Sequence, residues 1–318
     1  MSYLGEIAAL GTALCWLGSS LAFAYAGRAV GAQPLNQFRL YAALPLLCLL
    51  AWLLLGSAWP ADASGERQLW LAISGVVGLV LGDFCFFYAL ATIGPRVSSV
   101  VMSLWPGCAV GFELLRGNRS TSSELLGITM TIVGVVLVLL RRRSDGASGA
   151  GGWRSDLSRR QWTLGILGAL GGALGQAFGF LVSGDAMAAV PDPSGGPDFA
   201  PEIDPLLATI VRMVAATIGM QLVVTLQGQP LAMAKVVRNR RAHAMAWVGA
   251  ICGPVLGVWL SMVARARAEH AGVAAALMAT TPVFLLPVSI YLYRARVGPL
   301  GIFGTLLAVA GVVVCVVG

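Results

Sequence analysis

Apolar residues occupy the chain in long blocks, and most polar residues fall between them. Ten blocks come close to the roughly 20 residues that a helix needs to cross the hydrocarbon core of a bilayer. Segments 1 to 10 span residues 4–26, 34–56, 69–91, 95–116, 122–140, 162–183, 205–227, 244–266, 271–293 and 298–317. Of the connections, only 141–161 and 184–204 are longer than a short loop. The pattern predicts an all-α integral membrane protein with ten transmembrane helices and no soluble domain.

Composition supports lipid as the main solvent. Hydrophobic residues make up 58% of the chain and charged residues 11%, against about 45–50% and 25% in soluble proteins. A soluble chain so poor in charge could not cover its surface with solvated groups. Forty of the 318 residues are glycine, which allows helix backbones to approach closely where no hydrophobic effect drives their association.

Several classes of function are excluded or disfavoured by the residues present. The net charge of +7 comes from scattered basic residues, not from a basic domain interleaved with aromatics, so nucleic-acid binding is not predicted. The six cysteines lie in apolar segments without CxxC spacing, which predicts neither disulfides nor a metal site. There are two histidines and no GxSxG, HExxH or GxxxxGK[ST] motif, so neither an enzyme nor a nucleotide-driven pump is predicted. No cofactor is expected.

Five stretches of the first half recur in the same order in the second half. Any one match could arise by chance in a sequence rich in Ala, Leu and Gly, but five in order indicate an internal repeat. The matches are LGEIAALGTALCW with LGILGALGGALGQ, FRLYAA with VRMVAA (Arg39 with Arg212), VLG ending at Gly82 with VLG ending at Gly257, Pro106 with Pro282, and GITMTIVGVVLVLL with GTLLAVAGVVVCVV.

A unit of five segments has an odd number of crossings, so two copies in one chain must lie in opposite orientations. We predict a first five-helix repeat over 1–143, a Gly/Ser-rich basic linker over 144–161 and a second repeat over 162–318. Inverted repeats are typical of secondary transporters, with a site near mid-membrane where the halves meet. A duplicated scaffold without transport is the alternative.

The sequence also resembles a known family. TALCWLGSSLAF (Thr12–Phe23) is similar to the first-helix Trp-Gly region of the EamA-like branch of the drug/metabolite transporter superfamily. Residues 86–140 resemble that family's third to fifth helices, and 260–317 resemble the same unit again. The resemblance implies a ten-helix transporter. The family usually carries a Glu after the fourth and ninth helices, where this chain has Asn118 and Ala295.

Basic residues predict the orientation of the chain. One side of the membrane receives five, Arg67, Arg116, Arg119, Arg265 and Arg267. The other receives fourteen, Arg28, Arg96, Arg141, Arg142, Arg143, Arg154, Arg159, Arg160, Lys235, Arg238, Arg240, Arg241, Arg294 and Arg296. The positive-inside rule puts the second side in the cytoplasm and both termini outside.

Asp83 is the only acid in the middle third of any segment. A carboxylate at that depth should be neutral, paired or facing a wet cavity. It could bind a substrate ammonium group or exchange a coupling proton, or it could be a protonated side chain bonded to a neighbouring helix. Glu113, near the end of segment 4, is expected to pair with Arg116 at i,i+3.

Other mid-segment residues could line a cavity between the repeats, although packing is the favoured role for each residue taken alone. The predicted substrate-binding residues are Trp16, Asp83, Tyr88, Ser99, Ser103, Trp105, Gln176, Thr280 and Thr281. Pro106 and Pro282 are the candidate hinges. Arg39 and Arg212 are expected to snorkel towards opposite membrane faces as gates or anchors, with a role as substrate ligands as the alternative. Snorkelling would leave no basic group at depth for a phosphorylated ligand.

The sequence therefore predicts a secondary transporter of the bacterial plasma (inner) membrane, with export as the favoured direction. An aromatic, mostly neutral cavity suits small amphipathic metabolites such as amino acids, moved by alternating access. Its partners are the lipid bilayer and a small-molecule substrate, and proton coupling is a candidate energy source. A lipid-handling or scaffold protein is the alternative. The sequence does not decide between monomer and homodimer.

Overall fold

The computed structural model describes residues 3–117, 121–144, 157–188, 190–191, 199–200, 202–268, 271–291 and 298–317. Asn118, Ala295 and most of the linker, residues 145–156, lie outside them. Helices occupy all ten predicted segments. In the first half they are α1 (Leu4–Val30), α2 (Ala32–Leu55), α3 (Gly65–Gly75), α4 (Asp83–Ile93), α5 (Pro95–Met102), α6 (Trp105–Leu115) and α7 (Ser122–Ser144).

The second half continues with helices in the same order. They are α8 (Arg159–Met187), α9 (Pro205–Leu226), α10 (Ala234–Arg238), α11 (Arg240–Ala250), α12 (Trp259–Arg267), α13 (Ala271–Met278), α14 (Thr281–Tyr291) and α15 (Pro299–Val317). In the connection before α9, the two-residue strands β1 (Val190–Pro191) and β2 (Phe199–Ala200) pair antiparallel, with Val190 opposite Ala200.

Seven of the described helical stretches are long and apolar enough to cross a membrane. They coincide with segments 1–4 and 6–8. Three shorter apolar stretches, Ser122–Val138, Ala274–Val288 and Pro299–Val314, fall in segments 5, 9 and 10. The described part of the chain is therefore almost entirely helical and has the apolar stretches of a multi-pass membrane protein.

Segments 4 and 9 are interrupted just before a proline. The α-helical pattern stops after Met102 and resumes at Trp105, and in segment 9 it stops after Met278 and resumes at Thr281. Pro106 and Pro282 are the second residues of the resumed helices, where a proline removes a backbone donor and restricts the residue before it. The interruptions therefore lie beside both prolines that the sequence singles out.

Segments 3 and 8 each contain a π-helical stretch, Val76–Gly82 and Ile251–Val258. The two stretches occupy equivalent places in the repeats and were not predicted from the sequence. Each brings a glycine close to a helix of the other half. A β-carbon built on Gly82 would lie 3.1 Å from Cα of Gly175 on α8, and one built on Gly257 would lie 2.8 Å from the ring of Trp16 on α1. These positions accept no side chain without a shift of the helices.

The helices of the two halves interlock in a regular pattern. Segment 1 packs along segment 8 and segment 6 packs along segment 3, while segment 2 packs on segment 7 and segment 5 on segment 10. Adding or subtracting five exchanges the first two pairs and returns each of the last two pairs to itself. In the last pair, Gly134 and Gly304 bring the backbones of α7 and α15 into contact.

Candidate functional site

A cavity of about 90 Å³ lies where segments 1–4 of the first half meet segments 6, 8 and 9 of the second. That volume holds more than one water molecule. Both halves contribute to the wall, so the cavity occupies the junction at which the sequence places a site. Seven of the nine predicted binding residues line it: Trp16, Asp83, Ser99, Ser103, Trp105, Gln176 and Thr281. Pro282 lines it as well.

The other predicted residues lie outside the cavity lining. The Tyr88 ring lies towards segment 6, where a β-carbon built on Gly168 would be 3.5 Å from it, and not among the cavity-lining residues, which include Asp83 and Phe87. Thr280 lies at the helix interruption, where its hydroxyl donates to the carbonyl of Leu277 at 2.6 Å. Pro106 lies in the first turn of α6, beside the lining residue Trp105.

Most of the cavity wall is apolar and aromatic. Phe23, Phe86 and Phe87 contribute rings, and the rings of Trp105 and Phe180 pack edge to face with centroids 5.1 Å apart. The buried hydroxyl of Ser99, which also lines the cavity, has no hydrogen-bond partner among the described residues. An unpaired buried hydroxyl is a group that a ligand can satisfy.

The main polar feature of the wall is the ion pair between Arg39 and Asp83. The Arg39 side chain is 2% exposed and that of Asp83 is 20% exposed, towards the cavity. Arg39 is also held by neighbours: Nη2 donates to the carbonyl of Leu79 at 2.8 Å, Nε donates to Oδ1 of Asn36 at 2.9 Å, and the guanidinium lies 4.9 Å from the Phe87 ring centroid. Asp83 is therefore paired and faces the cavity.

Arg212, the repeat counterpart of Arg39, is 4% exposed but has far fewer partners. Its Nη1 donates to Sδ of Met262 at 3.2 Å, and its Nε has no hydrogen-bond partner among the described residues. The guanidinium lies between segments 3 and 6: a β-carbon on Gly179 would be 2.9 Å from Nη2, and one on Gly78 would be 3.5 Å away.

The expectation that these two arginines snorkel to the membrane faces is therefore wrong. Each is the eighth residue of its helix, counted from Ala32 or Pro205, so each lies about 10 Å from the helix start at 1.5 Å per residue. Both point inwards, and the interior does contain basic groups. The signal that could have found them is the match of FRLYAA with VRMVAA, which aligns the two arginines.

Acidic and basic side chains also meet at the face where α1 begins. Arg116 donates to Glu113 at 3.1 Å, as the i,i+3 spacing predicts, and to Asp185 at 2.9 Å. The hydrogen bond to Asp185 is the main reason that the pKa of Arg116 is raised. Nη2 of Arg265 lies 4.0 Å from Asp185. These contacts join segments 4, 6 and 8, and therefore link the two halves at this face.

The described part of the chain contains no group of three or more His, Cys, Asp or Glu side chains placed to hold a metal ion. Among the described residues that line the cavity, the charged groups are those of the Arg39–Asp83 ion pair. What it can do is surround a small molecule with aromatic rings, a few hydroxyl and amide groups, and one pair of opposite charges.

Comparisons with known proteins agree with this arrangement. No curated protein matches the sequence. One crystal structure, whose title states no function, shares the fold with a TM-score of 0.59 at 18% identity, over 97% of this chain and 95% of that one. The model of the EamA-like transporter family matches residues 3–140 and 196–317. The chain therefore belongs to the EamA-like transporter family of the drug/metabolite transporter superfamily, and it is a membrane transporter.

Proposed function

We propose that the protein is a secondary transporter that moves small amphipathic metabolites, such as amino acids, by alternating access. The observation that carries the proposal is the cavity between the two halves, whose wall combines apolar rings with hydroxyl, amide and charged groups. Binding sites for small molecules combine a mainly apolar lining with a few placed polar groups.

Ten membrane crossings in two inverted repeats of five are part of this proposal. Seven long and three shorter apolar helical stretches coincide with the ten predicted segments. The regular pairing of segments 1 with 8, 6 with 3, 2 with 7 and 5 with 10 is what a pseudo-twofold relation between the halves would produce. In such transporters the halves rock around a fixed central site.

In this mechanism the paired interruptions at segments 4 and 9 act as hinges. Ser103 and Thr280 lie in these interruptions, and their backbone N–H groups donate to the carbonyls of Val100 and Leu277 at 3.2 Å each, to which their hydroxyls also donate at 2.6 Å. A helix satisfied in this way can bend without exposing unpaired backbone groups to lipid. Export through a bacterial inner membrane is the proposed direction and location.

Counterflow in proteoliposomes tests the proposal, with purified protein and labelled amino acids, sugars, nucleosides and quaternary amines. Saturable exchange of one class is expected. Silence across the panel from folded protein would contradict solute transport, and movement of headgroup-labelled lipids would then indicate a lipid-handling protein.

Two adjacent threonines provide a matched pair of variants. Thr281 lines the cavity and Thr280 does not. Thr281→Val should lower exchange by about twofold to tenfold, the value of one hydrogen bond. Thr280→Val keeps the backbone hydrogen bond from residue 280 to the carbonyl of Leu277 and should leave exchange near the wild-type rate. Equal effects of the two variants would count against the cavity as the transport site.

A further inference from the structure

The charges buried around the cavity do not cancel. Arg39 and Arg212 are 2% and 4% exposed, and the one acid in the middle of a segment is Asp83. Arginine stays protonated in proteins, so neither cation can become neutral. The three residues therefore place one excess positive charge in the interior of the membrane protein, where unpaired charge is costly and marks functional sites.

The excess is located at Arg212. Arg39 has the Asp83 carboxylate, a carbonyl and an amide oxygen as acceptors, whereas the hydrogen bond that the structure gives Arg212 goes to a thioether sulfur. Its unpaired Nε is buried. A thioether is a weak acceptor and carries no charge, so it does not replace a carboxylate.

Arg212 lies close to the cavity wall. Its guanidinium lies beside Gly78 and Gly179. The carbonyl of Gly78 accepts a hydrogen bond from the backbone N–H of Asp83. Gly179 is three residues along α8 from Gln176, which lines the cavity. Asp83 and Arg212 are near enough to interact electrostatically. Asp83 therefore interacts with both arginines, and its ion pair is with Arg39.

We propose that the cavity takes a monocarboxylate of net charge −1, which supplies the negative charge that these three residues lack. The substrate carboxylate binds Arg39 from the cavity, and Asp83 is then free to pair with Arg212. The unpaired hydroxyl of Ser99 is available to a polar group of the same ligand. This inference rests on the proposed transport function and, among small amphipathic metabolites, favours carboxylate anions over zwitterionic amino acids.

Other charge types leave the interior unbalanced. An amine adds a second excess positive charge, and a zwitterionic amino acid leaves the excess unchanged. A phosphate monoester carries about −1.5 to −2 at pH 7 and reverses the sign of the excess. Protonation of Asp83 would leave both arginines without a counter-ion.

The test uses solutes that match in size and differ in charge. For each of three sizes, an amino acid is compared with the 2-hydroxy acid and the amino-acid amide of the same carbon skeleton: alanine with lactate, valine with 2-hydroxy-3-methylbutanoate, and leucine with 2-hydroxy-4-methylpentanoate. In counterflow with wild-type protein, the hydroxy acid of the accepted size should exchange at least about tenfold faster than its amino acid, a factor typical of one charged hydrogen bond. The amides should not exchange.

The outcomes separate the two proposals. If amino acids or amides exchange as fast as the hydroxy acids, or if only solutes without a carboxylate exchange, the charge inference is overturned and transport stands. If neither these solutes nor the sugars, nucleosides and quaternary amines exchange, the proposed transport function is overturned, and the proposed monocarboxylate substrate is overturned with it.

Substitution of Arg212 gives a second readout. Arg212→Gln removes the excess charge, so the preference for the hydroxy acid over the amino acid should fall by at least about tenfold, and the ligand-free protein should unfold at a higher temperature. Arg116→Gln, which removes an arginine at the membrane face, should leave the preference unchanged. A loss of stability in Arg212→Gln with the preference intact would show a purely structural arginine and overturn the proposal.

Discussion

Removal of the Asp83 carboxylate should destabilise the protein through the charges that it leaves behind. In Asp83→Asn, Arg39 and Arg212 remain buried and lose their shared counter-ion, while the side-chain volume hardly changes. Two unit charges about 4 Å apart attract each other by about 4 kcal/mol at an effective dielectric constant of about 20. Loss of one partner of a buried pair costs about 3–5 kcal/mol. Because Asp83 is 20% exposed to the cavity, we expect the lower end, about 3 kcal/mol.

A double-mutant cycle isolates the contribution of the pair. The free energy of unfolding is measured by SDS titration in mixed micelles, with tryptophan fluorescence as the signal, for the wild type, Asp83→Asn, Arg39→Gln and the double variant. Arg39→Gln removes one of the two cations, so the double variant should be more stable than Asp83→Asn alone. We expect a coupling energy of about 2–3 kcal/mol, within the range for residues in direct contact.

Additive effects would refute this reasoning. If the two single losses sum to that of the double variant within about 0.5 kcal/mol, the residues do not interact energetically, and the contact between them does not stabilise the fold. A coupling that disappears at high salt would show that the pair is solvated and not buried.

Two further predictions concern the helix contacts and the membrane face. Gly134→Ala places a β-carbon against the backbone of Ala308 and should lower the midpoint of SDS unfolding by the equivalent of about 1–3 kcal/mol. Gly111→Ala adds a β-carbon where there is open space and should be neutral or stabilising. Equal midpoints for the two variants would contradict the close packing of α7 and α15. Asp185→Asn breaks an ion pair whose side chains are 44% and 52% exposed and should cost less than about 1 kcal/mol, so a loss comparable with that of Asp83→Asn in the same titration would be unexpected.

The positions of the helices could be predicted because the length of an apolar block fixes where a membrane helix can lie. The interruptions before Pro106 and Pro282 follow from the missing backbone donor and the restriction on the preceding residue. A repeat is predicted because five matches keep their order. The meeting of Trp16 and Gln176 in one cavity agrees with that repeat, since both are mid-segment residues of equivalent helices.

The rotation of each helix about its axis could not be predicted in the same way. A helix that is apolar all round shows no stripe that marks its protein-facing side, because lipid and protein neighbours are equally apolar. The sequence therefore predicts Tyr88 and Thr280 in the cavity, although they lie outside its lining. It predicts Arg39 and Arg212 at the membrane faces because long basic side chains can reach headgroups from the first turns. Two of the acceptors that hold Arg39 inside, the Leu79 carbonyl and the Asp83 carboxylate, come from another segment.

Arg39 and Arg212 occupy equivalent positions in the predicted repeat but have different partners. This difference bears on the proposed transport cycle. Alignment of Gly82 with Gly257 puts Val258 in the place of Asp83, so the second repeat has an arginine without the matching acid. If the two halves exchanged conformations, Arg212 would have the surroundings that Arg39 has now. Val258 would then occupy the place of Asp83, so Arg212 would have no carboxylate partner from its own half. The Arg39–Asp83 pair therefore favours the present conformation of the empty protein. In the proposed cycle a bound carboxylate lowers this preference, because it occupies Arg39 and releases Asp83 towards Arg212, and substrate binding is thereby linked to the movement of the two halves.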